Sequence, residues 1–460
     1  MMRPAFREYL SQRELPLILL LAFLVCLFMA GGASRADVSA QLVIRSLAWI
    51  FLAAAIIFAP NVSVARVRVP MFLLIAIMFA VGIQLLPLPP GLWLALPGRN
   101  ELAGAATATG QPQPWRPLSL SPGATVNSLS SLIVPLLVLV LASQISLQRH
   151  RILLTALIVL VATSCIWAVG QFLDVMSPNP LMNHMPGQVG GPFANRNHLA
   201  LLLSIGLLVL PVWYCQRDRP SVLRLVVAAG LTVVATMVIL AIGSRAGLVL
   251  GLTGAAGGVG ITFKALHTRT RAASRFRRRV LVFGGLTAIS AVALASLAFD
   301  RSAALERAMA LDVGADLRAR AVPTVVAMIG QYFPVGSGFG AFDPVFRISE
   351  PDDLLSPSYL NHAHNDFLEI ALDGGILGIA LLVAGLGWWL VQSVRVWRGE
   401  GRDKTRLRRT GSAIILLVLL ASIVDYPART PLIMALLALA AVWLQGDLEA
   451  SGRNPADGVA

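Results

Sequence analysis

Twelve long apolar stretches, each able to cross a bilayer as a helix, set the strongest limit on the fold of this chain. About 20 apolar residues are enough to span the hydrocarbon core. Of the 460 residues, 57% are hydrophobic and 13% are charged. A soluble domain cannot bury that much apolar surface, whereas lipid can cover it. The sequence therefore predicts an all-α, polytopic membrane protein of about 12 transmembrane helices. The stretches are residues 15–33, 42–60, 70–89, 126–144, 151–173, 198–215, 222–243, 246–263, 280–299, 375–394, 411–425 and 431–445.

The basic residues fall in short connections between these stretches. The formal net charge is +14, and the segments 264–279 and 395–409 each contain seven Lys or Arg residues. Lys and Arg are enriched in cytoplasmic loops, and twelve spans place every basic connection and both termini in the cytoplasm. The charge therefore indicates topology, and binding to anionic membrane lipid or to a partner is the lesser alternative. No nucleic-acid partner is expected.

The longest connection lies on the other face of the membrane, at residues 300–374. It contains 11 of the 23 acidic residues and five arginines. The predicted organisation is helices 1–9 with short loops over residues 1–299, this large loop between helices 9 and 10, and helices 10–12 over residues 375–450. Residues 451–460 are expected to form a disordered tail. The first helix is expected to stay uncleaved, because no clear small-x-small cleavage site precedes Asp37.

Two of the six histidines, His362 and His364, lie two residues apart just before the stretch at 375–394. Asp366 and Glu369 have the spacing of a capping box, which predicts a short helix that begins at Asp366 and ends at Gly374. His364 is then expected to be exposed at the membrane surface. Histidine titrates near neutral pH, so a proton-handling role is favoured. A hydrogen-bonded structural pair is the alternative.

The same segment has the His-x-His-x-Asp opening of metallo-β-lactamase-type metal sites. That opening continues with another histidine, whereas this chain has Phe367, and no histidine follows His364. Zinc needs three or four good ligands, and the three cysteines form no CxxC pair. Neither a metal nor another cofactor is expected.

Two turns at the same face carry arginines. Ser244-Arg245-Ala246-Gly247 places Arg245 at the junction of two apolar stretches, where an arginine indicates either function or a snorkelling side chain. The turn at 191–198 carries Arg196 and His198 at the mouth of the next stretch. A plain helix entry capped by Asn197 is the alternative there.

Arg318 and Arg320 precede a loop with alternating glycines at positions 336, 338 and 340. Glycines let a backbone approach another group closely. The loop lacks the Lys-Ser/Thr of a Walker motif and the strand–helix setting of a dinucleotide site. Arginine forks on this face match phosphate oxygens, so a lipid-linked diphosphate sugar is a suitable substrate.

Together these segments resemble the O-antigen ligase and polymerase superfamily, bacterial membrane enzymes that act on undecaprenyl-diphosphate-linked glycans. The likeness covers roughly residues 150–445 and rests on the order of four motifs. It implies a GT-C-like glycosyltransferase of the bacterial inner membrane whose periplasmic face is active. The motifs are Gly-Pro-Phe-x-Asn-x-Asn at 191–197, Ser-Arg-x-Gly at 244–247, Pro-x-Gly-x-Gly-x-Gly at 334–340 and His-Asn-Asp-x-Leu at 364–368.

The resemblance also implies roles for single residues. His364 would be the catalytic residue that acts on the acceptor, and Arg245 would bind the lipid diphosphate. The loop arginine would be Arg318 or Arg320; Arg318 is favoured, although the family often has a Trp nearby where this chain has Val322-Pro323. Further substrate-binding candidates are Arg196, His362, Asn365 and Asp366.

The implied reaction is metal-independent transfer of a glycan to an acceptor hydroxyl, with a lipid A core, another glycan or a protein as acceptor. Ligase-type transfer is favoured over polymerisation because twelve spans and a single large late loop fit it. A transporter or flippase of lipid-linked glycans would also place arginines in the membrane. Such proteins usually show a repeated half and broken helices, and the sequence shows neither.

Overall fold

The computed structural model describes residues 14–59, 64–146, 148–183, 188–216, 221–271, 313–355, 359–399 and 403–446. The described residues are mainly helical, with one two-stranded hairpin, β1 (Pro87–Leu88) and β2 (Arg116–Pro117), in which Leu88 pairs with Arg116. The predicted all-α class is therefore confirmed. The predicted span at 280–299, the start of the large loop at 300–312 and the predicted tail at 451–460 lie outside the described residues.

The described α-helices are numbered in chain order. They are α1 (Leu15–Ala30), α2 (Ser39–Phe58), α3 (Val64–Ile83), α4 (Pro90–Leu94), α5 (Asn100–Ala108), α6 (Pro122–Ser131), α7 (Ile133–Gln144), α8 (His150–Phe172), α9 (Arg196–Tyr214), α10 (Val222–Ile242), α11 (Arg245–Arg271), α12 (Val313–Tyr332), α13 (Phe342–Ser349), α14 (Asp366–Arg398), α15 (Asp403–Ala421) and α16 (Pro431–Gln445). Short 3₁₀ turns cover Asp352–Leu354 and Pro427–Arg429.

Within the described part of the chain, eight helical segments are long and apolar enough to cross a membrane, one of them combining α6 and α7. Helices α1 and α16 are apolar but have only 16 and 15 residues. Helix α15 begins with a charged turn, which lowers its mean hydropathy. A polytopic membrane protein is thus confirmed, and the predicted number of about 12 helices stays a prediction.

Helix α9 lies at the centre of the bundle. Buried residues make up 89% of its apolar window, the largest share among the eight segments. Helix α11 packs closely against it, because a side chain at Gly254 or Gly258 would meet the backbone carbonyl oxygens of Ser204 or Leu208. The first turn of α9 contains His198, so the best-packed helix of the molecule positions one end of the candidate site.

Helix α14 differs from the predicted short helix in two respects. Asn365 is the N-cap, and its side chain accepts hydrogen bonds from the backbone N–H groups of Phe367 and Leu368, both at 3.0 Å. The expected capping box is therefore wrong, because the Glu369 carboxylate turns to other partners. The helix also continues beyond Gly374, with a kink at Gly375, where φ is 54° and ψ is −142°.

The alternating-glycine loop packs against this kink. Ser337 and Gly338 donate backbone hydrogen bonds to the carbonyl oxygens of Leu372 and Asp373, at 2.9 and 3.0 Å, and Ile376 donates to Pro334 at 2.8 Å. The glycines therefore approach a helix backbone, and this contact fixes the half-turn of α14 that precedes the kink.

Gly375→Ala is expected to lower the free energy of unfolding by about 1–3 kcal/mol. Position 375 has a positive φ, which strains any residue with a Cβ, and that Cβ would also meet the backbone of Pro334. Gly385→Ala, in the same helix, has open space around its Cβ and should leave stability unchanged or raise it slightly. Thermal unfolding of both variants in detergent checks this. Equal melting temperatures for the two variants would contradict the packing described here.

Candidate active site

Asp425 is the centre of the candidate site, between α15 and the 3₁₀ turn at Pro427–Arg429. Its buried carboxylate accepts hydrogen bonds from Nδ2 of Asn195 at 3.0 and 3.1 Å and from Nδ2 of Asn197 at 2.7 Å. The backbone N–H of Tyr426 donates a further bond at 2.9 Å. Asp425 therefore joins the segment after α15 to the turn that begins α9. The N-cap of α9 is Asn195 and not Asn197.

Two histidines lie against the same carboxylate. Nδ1 of His364 is 3.4 Å from Oδ1 of Asp425, and Nε2 of His198 is 3.8 Å from that oxygen. His364 is only 9% exposed, so the expectation of an exposed side chain is wrong. The segment before α14 folds inward over the aromatic ring of Tyr426. His364 has φ +49°, a left-handed conformation that few residue types other than glycine tolerate.

Tyr426 brings the third histidine into the group. The ring centroids of His362, His364 and His198 are 4.2, 4.8 and 5.4 Å from the Tyr426 ring centroid. Nδ1 of His362 contacts Oε1 of Glu369 at 2.9 Å, and its Nε2 is 3.4 Å from Oγ of Ser34. Three histidines and one carboxylate thus surround one buried tyrosine. We call this cluster of Asp425, Tyr426, His198, His362, His364, Asn195 and Asn197 the Asp425 site.

Burial and charge oppose each other at this site. Burial lowers the pKa of His364 below its usual value of 6.5, and the nearby Asp425 carboxylate raises it again only in part. For Asp425, burial would raise the pKa, but the adjacent imidazoles of His364 and His198 lower it below its usual value. Burial raises the pKa of Tyr426, which therefore stays protonated. At neutral pH the geometry fits a neutral imidazole beside an ionised carboxylate.

The Ser-Arg turn connects to the same site through Ser244. Oγ of Ser244 donates to Oδ1 of Asn197 at 2.9 Å and accepts the backbone N–H of Gly247 at 2.9 Å. Arg245 is the exposed first residue of α11, and Arg196 is the half-buried first residue of α9. Both predicted substrate-binding arginines therefore begin helices whose ends meet at the Asp425 site.

The structure separates the two loop arginines. Arg320 binds the exposed Asp353 through a 2.7 Å ion pair and also donates to its backbone carbonyl at 2.8 Å. Arg318 is half-buried, and its charge acts on His364, Asp425 and Tyr426. Arg318 is therefore the one whose charge influences the cluster, whereas Arg320 is paired with Asp353.

Asn365 and Asp366 hold backbone at the border of the site. Nδ2 of Asn365 donates to the carbonyl oxygen of Ile423 at 2.9 Å. Asp366 accepts a hydrogen bond from Oγ of Ser422 at 2.8 Å and one from the backbone N–H of Ala428 at 3.3 Å. In this structure, both side chains anchor the start of α14 to the segment that contains Asp425.

Sequence reasoning did not identify Arg429, which forms a second, buried ionic cluster. Its guanidinium lies 3.4 Å from Asp366, 3.1 Å from Glu369 and 3.7 Å from Asp373. Glu369 also accepts the backbone N–H of Ala363 at 2.8 Å. The three acidic residues share one face of α14 because they follow the spacing i, i+3, i+7. Three carboxylates on one face at the start of an apolar helix indicate that a basic side chain from another segment pairs with them.

Asp425 and His198 were also not selected as site residues, although both lie in segments that the sequence reading had delimited. Their roles depend on contacts between residues more than 200 positions apart. Among the described residues, no group of three or more His, Cys, Asp or Glu side chains could hold a metal ion. The amide N–H groups that point at Asp425 suit a bare carboxylate, because a bound cation would repel these donors.

The chain also shows similarity to a known family. Residues 230–383 match the family model of the O-antigen ligases. The matched segment extends from α10 through the Ser-Arg turn and the alternating-glycine loop into α14. Asn195, His198 and Asp425 lie outside it. No curated protein matched the chain.

Proposed function

We propose that the protein transfers a glycan from an undecaprenyl-diphosphate carrier to an acceptor hydroxyl, and the match of residues 230–383 to the O-antigen ligase family model supports this proposal. The reaction takes place at the periplasmic face of the bacterial inner membrane. The observation that carries this proposal is the buried His364–Asp425 pair, which lies at the meeting point of the arginine-bearing turns. A transporter would not require a base held in this way.

His364 acts as the general base. Its Nδ1 faces Asp425, so Nε2 is the nitrogen that takes the proton of the acceptor hydroxyl. The acceptor oxygen attacks the anomeric carbon, and the bond from that carbon to the diphosphate oxygen breaks. The electron pair leaves with the diphosphate, and Asp425 stabilises the imidazolium that forms. A positioned base contributes roughly 10²–10⁴ in rate.

Arg318, Arg245 and Arg196 bind the diphosphate. Guanidinium groups pair with phosphate oxygens in a bidentate manner and remain charged at all relevant pH values. They counter the negative charge that builds on the leaving group, as preorganised electrostatic groups do. No metal ion or cofactor is needed in this mechanism. Arg320 is a weaker candidate because Asp353 already binds it.

Asp425→Asn tests the orienting role of the carboxylate. The expected result is a fall in kcat of about 10²-fold or more, with a smaller change in KM for the donor, because the imidazolium loses its partner. Asp353→Asn removes an exposed carboxylate and is the matched control, with activity near that of the wild type. If Asp425→Asn kept full kcat, the His364–Asp425 pair would have no part in transfer.

The pH dependence follows from the lowered pKa of His364. The base is active when neutral, so transfer should persist as the pH falls to 6.5 and should decline only below that value. Removing the negative charge in Asp425→Asn removes an influence that raises this pKa. The acidic limb of the remaining activity should therefore move to still lower pH. A limb that moved upward would contradict the assignment, and steady-state rates between pH 4 and 8 distinguish the two outcomes.

We favour ligase-type transfer, and polymerisation by the same chemistry is the alternative. The acceptor is a lipid A core sugar, a protein or another glycan. One purified lipid-linked donor, offered in turn with a lipid A core acceptor and with a second lipid-linked glycan, decides between them. New product with the core acceptor supports a ligase, whereas longer lipid-linked chains support a polymerase. Movement of label across proteoliposomes without a new glycosidic bond would instead indicate transport.

A further inference from the structure

Arg45 is an arginine inside a membrane-spanning segment that the proposed reaction does not use. It lies on α2, six residues after the helix begins at Ser39, which corresponds to about 9 Å along the helix axis. A charged side chain at such a depth is unfavourable unless it has partners, and it indicates a functional site by default. Its surroundings are therefore informative.

In the described part of the chain, the groups that orient this side chain are all neutral. Nη1 of Arg45 donates to Oδ1 of Asn127 at 2.5 Å and to Oγ of Ser130 at 2.9 Å, both on α6. Nη2 donates to Oε1 of Gln41 at 3.0 Å. Within the described ranges, no ion pair includes Arg45, and its Nε is buried without a hydrogen-bond partner. A guanidinium has five N–H donors, so three of them orient the group and two remain for a ligand.

The position of Arg45 gives access from the lipid phase. Leu42 and Trp49, at i−3 and i+4 on the same helix face, are 74% and 59% exposed. On the facing helix, Val126 is 53% exposed. The seam between α2 and α6 therefore borders the surface that faces lipid.

The seam lies at the end of the bundle that carries the Asp425 site. Gln41, one turn before Arg45, donates to the backbone carbonyl of Ala33. The next residue in that loop is Ser34, whose Oγ is 3.4 Å from Nε2 of His362. One short loop therefore connects the surroundings of Arg45 with those of His362.

We propose that Arg45, oriented by Asn127 and Ser130, binds the phosphate group of a membrane lipid. The two remaining donors, Nε–H and one N–H of Nη2, match two phosphate oxygens, and arginine is the side chain best suited to such bidentate pairing. The phosphate comes from a bulk phospholipid or from the polyprenyl carrier, since both carry anionic phosphate oxygens. The inference does not require glycan transfer.

The test must separate lipid binding from a purely structural link between α2 and α6. Asn127→Asp does so. The new carboxylate strengthens the contact between α6 and Arg45, but its ion pair with the guanidinium competes with a lipid phosphate. We expect this variant to unfold at the wild-type temperature or above, and to bind phosphatidylglycerol and undecaprenyl phosphate at least about tenfold more weakly. Arg45→Gln should lose the same binding. Arg116→Gln, which removes an arginine bonded to the carbonyl of Leu102, is the matched control.

Binding is measured by native mass spectrometry of the purified protein, with phosphatidylglycerol, undecaprenyl phosphate and uncharged diacylglycerol as separate probes. Weaker binding of both phosphates, with diacylglycerol unaffected, supports a general lipid-phosphate site. If only the binding of phosphatidylglycerol or only that of undecaprenyl phosphate is weakened, the site is supported and the lipid that supplies the phosphate is identified. If Asn127→Asp and Arg45→Gln both bind the two phosphate lipids within twofold of wild type, the proposal is overturned. The assay contains no acceptor, so its result is independent of the transfer mechanism.

Discussion

His364→Ala should lower glycan transfer by at least about 10²-fold, because the acceptor hydroxyl loses the proposed base that removes its proton. Affinity for the lipid-linked donor should stay near the wild-type value, since the arginines proposed to bind the diphosphate are unchanged. Steady-state kinetics with a purified donor and acceptor measure kcat and KM separately.

The matched control is His267→Ala, which removes an exposed histidine from α11, where it stacks on Phe263. Its kcat should equal that of the wild type. Full turnover by His364→Ala would remove the base assignment. The unfolding temperature distinguishes misfolding from loss of the base. We expect His364→Ala to lower kcat strongly and the unfolding temperature only slightly, because the change leaves no buried charge without its partner.

Arg429→Met should have the largest effect on stability. The change leaves Asp366, Glu369 and Asp373 buried without their shared cation. Burial lowers the pKa of an arginine, but these carboxylates raise the pKa of Arg429 overall, so it is charged in the folded protein. Loss of one partner from a buried ionic group typically costs about 3–5 kcal/mol. The unfolding temperature in detergent measures this loss.

Arg409→Met is the control for this prediction. Arg409 binds the carbonyl oxygens of Val396 and Gly399 at 3.2 and 2.6 Å, one of them at an exposed position. Its removal should change the unfolding temperature much less. Arg429→Lys keeps the charge and should recover part of the stability. An Arg429→Met protein that unfolds at the wild-type temperature would show that the buried ionic cluster does not support the fold.

The helices of this protein follow from local hydrophobicity, which the sequence contains directly. The predicted stretch at 222–243 is helix α10, Val222–Ile242, and the stretch at 431–445 is α16, Pro431–Gln445. Helix starts were less predictable, because several polar side chains compete for the same backbone N–H groups. At α9 and α14 the caps are Asn195 and Asn365, each one or two positions before the expected residue.

The candidate site was only partly predictable for a different reason. His364 was selected because it lies next to another histidine in a recognisable motif. Asp425 closes an apolar stretch and was therefore read as part of a membrane span, and only contacts with Asn195 and Asn197, some 230 positions away, reveal its role. The burial of His364 likewise depends on the ring of Tyr426, which a local pattern cannot indicate.

The stereochemistry of the new glycosidic bond tests the central claim most directly. A single base that activates the acceptor for direct attack on the anomeric carbon requires one displacement, and one displacement inverts the configuration of that carbon. NMR of the product made from a donor of defined anomeric configuration gives the answer. The account predicts inversion in every product molecule. Retention of configuration would contradict it, because retention requires a second displacement that His364 and Asp425, as a base and its partner, do not provide.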